Sequence, residues 1–195
     1  MGTSRKDQII KRAVVLFARD GYRKVTMKRI AMSCKITEAA LYKHFESKDD
    51  IYRAVLKSIR GRIDADKFLE SIGDELNINK LLYALARFIS SSYLKHHQIT
   101  RLLLYSSLEG HSGAKEVYYS LRLPYIKFLT AKLNELIKAG IIRKVNPEVT
   151  ARCFVGMVFD CALNSKLWKG MAGKVYSAET TINNNVPIFA GGLLK

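Results

Sequence analysis

The stretch from Thr26 to Lys48 reads Thr-Met-Lys-Arg-Ile-Ala-Met-Ser-Cys-Lys-Ile-Thr-Glu-Ala-Ala-Leu-Tyr-Lys-His-Phe-Glu-Ser-Lys. Thr26 and Thr37 each stand directly before a short run with apolar side chains at helical spacing: Ile30 and Ala31 in the first, Leu41 and Phe45 in the second. A threonine so placed accepts a hydrogen bond from an amide two or three residues on, so both read as N-caps of short helices. About three residues around Lys35 remain for the turn between them, too few for anything but a tight reversal.

Outward from this pair, the chain predicts a long amphipathic helix on each side. Upstream, Ser4 caps a helix with Asp7 three residues on, burying Ile9, Ile10, Ala13, Val14, Leu16 and Phe17. Gly21 ends it, because glycine takes a left-handed C-terminal conformation at little steric cost. Downstream, Ser47 followed by Asp50 opens a helix with Ile51, Val55 and Ile59 on one face, its far end blurred by Gly61 and Gly73.

Two short helices joined tightly and braced by longer ones form a helix-turn-helix, whose second helix enters the DNA major groove. Here that helix runs from Thr37 to Phe45. Ala39 and Ala40 are small enough to let its front approach base edges, while Tyr42, Lys43 and His44 offer donors toward phosphates. Thr26, Thr37 and Lys48 each sit at a helix start, where amides and the macrodipole favour anions. Leu41, Phe45, Ile30 and Phe17 read as core, and Tyr42 and His44, taken alone, read as half-buried packing residues with wet tips.

The run Phe17-Ala-Arg-Asp-Gly-Tyr22, then Thr26, Ile30-Ala31, Ile36-Thr37 and Leu41-Tyr-Lys-His-Phe-Glu-Ser-Lys48 resembles the TetR-family DNA-binding domain over residues 8 to 56. The resemblance implies that Glu38 and Ala39 face base edges with help from Lys43, and that Thr26, Thr37, Tyr42, His44 and Lys48 hold the sugar-phosphate backbone. The family usually has a glycine in the turn where this chain has Lys35, which carries a steric cost if φ there is positive. More weakly, Pro124, the segment Ala139-Gly-Ile-Ile-Arg143 and the helix start at Asn146-Pro147 resemble the connection before the family's last two helices. Those helices imply a homodimer with a four-helix bundle, a pseudo-palindromic operator in double-stranded DNA, and a repressor released by a small hydrophobic or amphipathic effector.

Apolar residues recur at three and four throughout, so the chain is expected to be all-α, about nine helices in all. The resemblance implies a helix-turn-helix domain over 1–47 and a larger helical ligand-binding and dimerisation domain over 48–195, with the helix from 48 connecting the two. Further helices are expected near 79–95, 99–108, 114–138, 147–168 and 178–194, with Pro124 and Pro187 kinking or splitting theirs. Tentative effector contacts are Phe88, Tyr105, Tyr125, Phe128, Phe154 and Met157. The dimer seam is expected at Ala151, Gly156 and Ala162, together with Ile182, Val186, Phe189 and Leu193.

Of 195 residues, 33 are Lys or Arg and 17 Asp or Glu, a net charge of +16. Residues 1–60 hold fifteen basic against six acidic side chains and the rest eighteen against eleven, so the basic end is the one with the two short helices. Such a surplus concentrates a protein on polyanions. The alternative reading is a basic helical protein that binds a membrane surface or polyanions without reading sequence. No apolar stretch is long enough to span a bilayer and no signal-peptide block opens the chain, so a cytoplasmic location without membrane contact is expected. Cys34, Cys153 and Cys161 form no Cys-x-x-Cys unit and read as reduced, mostly buried thiols. The adjacent His96 and His97 make a poor metal pair, and no nucleophile elbow, phosphate loop or zincin motif occurs. No enzyme activity, metal or cofactor is expected.

Overall fold

A computed structural model describes residues 4–60, 65–110, 112–166 and 176–195. Ten helices follow one another among them: α1 Arg5–Lys24, α2 Met27–Ser33, α3 Glu38–Tyr42, α4 Lys48–Arg60, α5 Ala65–Ser71, α6 Ile78–Lys95, α7 His97–Leu108, α8 Ser112–Lys138, α9 Pro147–Lys166 and α10 Ala178–Gly191. The only β pairing among the described residues is one antiparallel bridge between Ile142 and Leu194. The class is all-α as expected, with α5 as the helix the sequence reading lacks.

Contacts divide the chain into two units, the first made of Met1–Ile63 and Gln98–Leu121, the second of Asp64–His97 and Arg122–Lys195. The core of the first holds Ile9, Ala13 and Phe17 of α1, Ile30 of α2, Leu41 of α3, and Ile51, Tyr52, Val55 and Ile59 of α4. Helix α4, expected to lead the second domain, thus buries its apolar face with α1. Ile99, Leu102 and Leu103 of α7 complete the same core from far along the chain.

In the second unit, α6 packs against both α9 and α10, and those two against each other. Leu81, Leu82, Leu85 and Ala86 of α6, Ala151, Phe154, Val155 and Ala162 of α9, and Ile182 and Val186 of α10 are buried. Most residues expected at a dimer seam therefore line the protomer's own core, because the α6 face is apolar enough to take both helices. The exposed sides carry Val149 and Cys153 on α9 and Ile188 on α10. Cys34 and Cys161 are half-buried and all three thiols are free, so the expectation of mostly buried cysteines is corrected.

Neither Pro124 nor Pro187 splits its helix. A helical proline leaves the carbonyl four residues back without its amide. For Pro187 that carbonyl belongs to Asn183, and the Tyr83 hydroxyl donates to it at 3.4 Å. Asn146 caps α9 as expected, its side chain accepting from Val149 N at 3.1 Å, with Pro147 in the first turn. Residues 167–175, covering the expected end of α9, lie outside the described residues.

Candidate nucleic-acid interface

The five-residue α3 owes its position to the cap before it and the anchors after it. Thr37 Oγ1 accepts from Ala40 N at 3.1 Å, which leaves the hydroxyl hydrogen free to donate outward. Leu41 is 0% exposed, and beyond Tyr42 the chain turns so that His44 N and Phe45 N both reach Leu41 O, at 2.9 and 3.1 Å. That turn returns Phe45 to the core, where the Lys6 ammonium lies 5.0 Å over its ring. A buried leucine or phenylalanine contributes about 1.5–3 kcal/mol, so the two anchors outweigh the poor intrinsic stability of so short a helix. Thr37, Glu38, Ala39, Tyr42, Lys43 and His44 all remain exposed.

The turn before α3 closes α2 by a Schellman pairing. Ile36 N reaches Ala31 O and Lys35 N reaches Met32 O, both at 3.1 Å. Lys35 holds φ 54°, the only positive φ outside glycine among the described residues. The turn thus keeps the backbone that a glycine would adopt and accepts the steric cost of a lysine. Gly140, at φ 70°, closes α8 with the same two bonds, Ile141 N to Leu136 O and Gly140 N to Ile137 O.

Thr26 is exposed and caps α2 by accepting from Arg29 N at 3.2 Å. Arg29 in turn holds α2 to the end of α1, donating to Lys24 O at 2.9 Å and to the Asp20 carboxylate. Hydrogen bonds from Arg19 and then Arg29 hold the Asp20 carboxyl down to about 2, against the opposing effect of desolvation.

Lys48 opens α4 and is half-buried. Its ammonium donates to Tyr22 O at 3.0 Å and lies 4.1 Å over the Tyr22 ring. Desolvation lowers its pKa, opposed by the nearby Glu109 carboxylate. Glu109 follows α7 and accepts from Tyr22 N at 2.9 Å and Arg23 N at 3.4 Å. These amides point at it because Gly21, at φ 78° and ψ 167°, breaks the helix and exposes the N–H groups of the turn that follows. An ammonium has three donors, so Lys48 can brace Tyr22 and still reach a phosphate.

The eight residues expected to meet DNA thus lie on three consecutive helix starts and the end of α3, within one unit, with Lys48 the most enclosed. Of the six tentative effector contacts, Phe88 and Tyr125 meet edge to face with centroids 6.2 Å apart, and the six do not form one cluster. Tyr105 lies on α7 in the first unit, 3.7 Å from where a side chain on Gly21 would begin. Phe154 is fully buried against Phe189, their centroids 5.0 Å apart, and Tyr125 is a core residue whose hydroxyl burial pushes up to about 12. Phe128 and Met157 are half-buried, while Phe88 faces a 630 Å³ cavity in the second unit. The sequence reading missed Glu109 and its pairing with Tyr22. They are 87 positions apart, and nothing in either neighbourhood signals the pairing.

The sequence profile described as "Bacterial regulatory proteins, tetR family" matches residues 9–55. The uncharacterized HTH-type transcriptional regulator YhgD of Bacillus subtilis (strain 168) is 26% identical over 170 residues, covering 82% of this chain and 85% of that protein. The biofilm operon icaADBC HTH-type negative transcriptional regulator IcaR of Staphylococcus epidermidis is 36% identical over 86 residues, and the match spans 45% of its length. Among solved structures, AibR in complex with isovaleryl coenzyme A and operator DNA superposes with a TM-score of 0.69 at 22% identity, covering 95% of this chain and 97% of AibR. The fatty acid degradation regulator FadR from Bacillus halodurans gives 0.70 at 19%, covering 98% and 97%. At these identities the superpositions speak for the fold.

Proposed function

We propose, from the match of residues 9–55 to the tetR-family profile and the likeness to YhgD, that the chain is a TetR-type repressor that binds a pseudo-palindromic operator as a homodimer and leaves it when a small molecule binds the second unit. The carrying observation is the outward presentation of α3: its front and far end are exposed while Leu41 and Phe45 fix it from behind. Glu38 and Ala39 read base edges with Lys43, and Thr26, Thr37, Tyr42, His44 and Lys48 grip phosphates. Repression follows the IcaR relative, named a negative regulator. Such a protein acts by binding and not by catalysis, in the cytoplasm where the chromosome is.

The dimer face is proposed on the exposed sides of α9 and α10. Val149, Cys153 and Gly156 recur at helical spacing on α9, Ile188 is exposed on α10, and a side chain at Gly156 would meet nothing within 4 Å. Two-fold symmetry places two α3 helices in successive major grooves only when they stand one helical turn apart, roughly 35 Å. An effector that favours another separation weakens DNA binding by its own preference between the two states, and DNA weakens effector binding equally.

The test is selection from a random DNA pool at physiological salt. The expected winner is an inverted repeat with half-sites about 10 base pairs apart, centre to centre. A pool that returns no enriched sequence would overturn the reading.

A further inference from the structure

A 630 Å³ cavity in the second unit is lined by residues of α5, α6 and the start of α10. Its size lies within the range of small-molecule sites. The apolar wall is Phe68 and Phe88, stacked at 3.8 Å between centroids, with Leu94 and Ile182. Ser90 also lines it, is 4% exposed, and its hydroxyl has no hydrogen-bond partner among the described residues. A buried hydroxyl without a partner is costly, and proteins keep few of them without a use.

The mouth has an anion-directing chemistry. Ser177, Ala178 and Glu179, the cap and first turn of the fourteen-residue α10, line the cavity, so the helix start opens onto it. Arg87 stands opposite and pairs with the Glu179 carboxylate at 2.7 Å. Both side chains are more than half exposed, at 58% and 55%, so the pair is screened and exchanges easily. Glu179 thus occupies the place of an incoming carboxylate: at a helix start, on a guanidinium, at the edge of an aromatic wall.

We propose that this cavity is the effector site and that it takes an amphiphilic monocarboxylate. The ligand's apolar body lies along Phe68 and Phe88, its carboxylate displaces Glu179 from Arg87, and the Ser90 side chain turns from its enclosed position to donate its hydroxyl to a carboxylate oxygen. The regulatory part of this inference rests on the DNA-binding reading above. The binding part does not.

Calorimetric titration of the full-length protein with 4-phenylbutyrate, and with the neutral 4-phenylbutanamide as control, tests it. Saturable carboxylate binding is expected, weakened at least about tenfold by Arg87→Gln and by Ser90→Ala, since each removes a partner of a charged or buried group. Glu179→Gln is expected to tighten it about threefold or more by removing the internal competitor. The amide should bind more weakly and ignore Arg87→Gln. Carboxylate affinity that stays within about twofold in all three variants, or an amide that binds as well, overturns the inference.

The same preparations are carried through operator selection. Protein that selects an operator yet binds no carboxylate, or binds it without any loss of DNA affinity, overturns the effector site and leaves the DNA-binding reading standing. Protein that binds the carboxylate as expected but enriches no sequence overturns the DNA-binding reading and leaves the cavity assignment standing.

Discussion

Gly21 combines φ 78° with ψ 167°, a region open to glycine and to almost no other residue. A Cβ there would also sit 2.9 Å from Glu109 Oε1. Gly21→Ala is expected to cost about 1–3 kcal/mol of stability, measured by urea unfolding, and to weaken operator binding through the displaced Tyr22 turn. Lys35 shows the opposite case. At φ 54° its lysine pays a left-handed penalty of about 1–2 kcal/mol that glycine avoids, while glycine loses about 0.5–1 kcal/mol more chain entropy on folding. Lys35→Gly should therefore stabilise modestly, and a loss of stability would mean that the lysine side chain earns its place by contacts. Asp20 supplies a pH signature. Its folded pKa lies below the ordinary value, so its stabilising effect is full above that value and fades as pH falls from about 5 toward 2. The thermal midpoint of Asp20→Asn should fall less steeply across that window than the parent's.

Helix α3 is the element to which the proposed function gives the most distinct side-chain tasks. Glu38→Ala is expected to change the order of preferred operator sequences, since a carboxylate at the helix front accepts from a cytosine amino group. Lys43→Ala should weaken binding and reduce the salt slope by about one if Lys43 meets phosphate. It should instead relax one base position if Lys43 helps to read bases. Electrophoretic titration at three salt concentrations separates these outcomes. The helix starts were legible because Ser4, Thr26, Thr37, Ser47 and Asn146 each announce a local bond, made within three residues. Helix α5 was not, because the run between Gly61 and Gly73 is too short for a helical repeat of apolar residues to show. The continuity of α10 through Pro187 was illegible for another reason: the Tyr83 hydroxyl that serves the orphaned Asn183 carbonyl comes from 100 residues away. The same limit hid Glu109, whereas the eight residues proposed to meet DNA were picked out by a local pattern with a familiar spacing.

For the molecule as a whole, the protomer already consumes most of the apolar residues that the sequence offers for a dimer seam. What remains outside is a narrow stripe with Ile188 69% exposed. Ile188→Glu should shift the protein in light scattering toward the 22.1 kDa mass of one chain. Affinity for a full inverted repeat should fall toward that for a half-site. An unchanged mass would place the two-fold axis elsewhere. The first unit takes Gln98–Leu121 from the middle of the chain, supplying Ile99, Leu102, Leu103 and the Glu109 carboxylate. A hybrid regulator made by splicing at residue 60 would therefore graft a DNA reader stripped of one wall. Its recombination breakpoints must come in pairs, with the segment around α7 travelling alongside the N-terminal graft even though 34 intervening residues, Asp64–His97, stay behind.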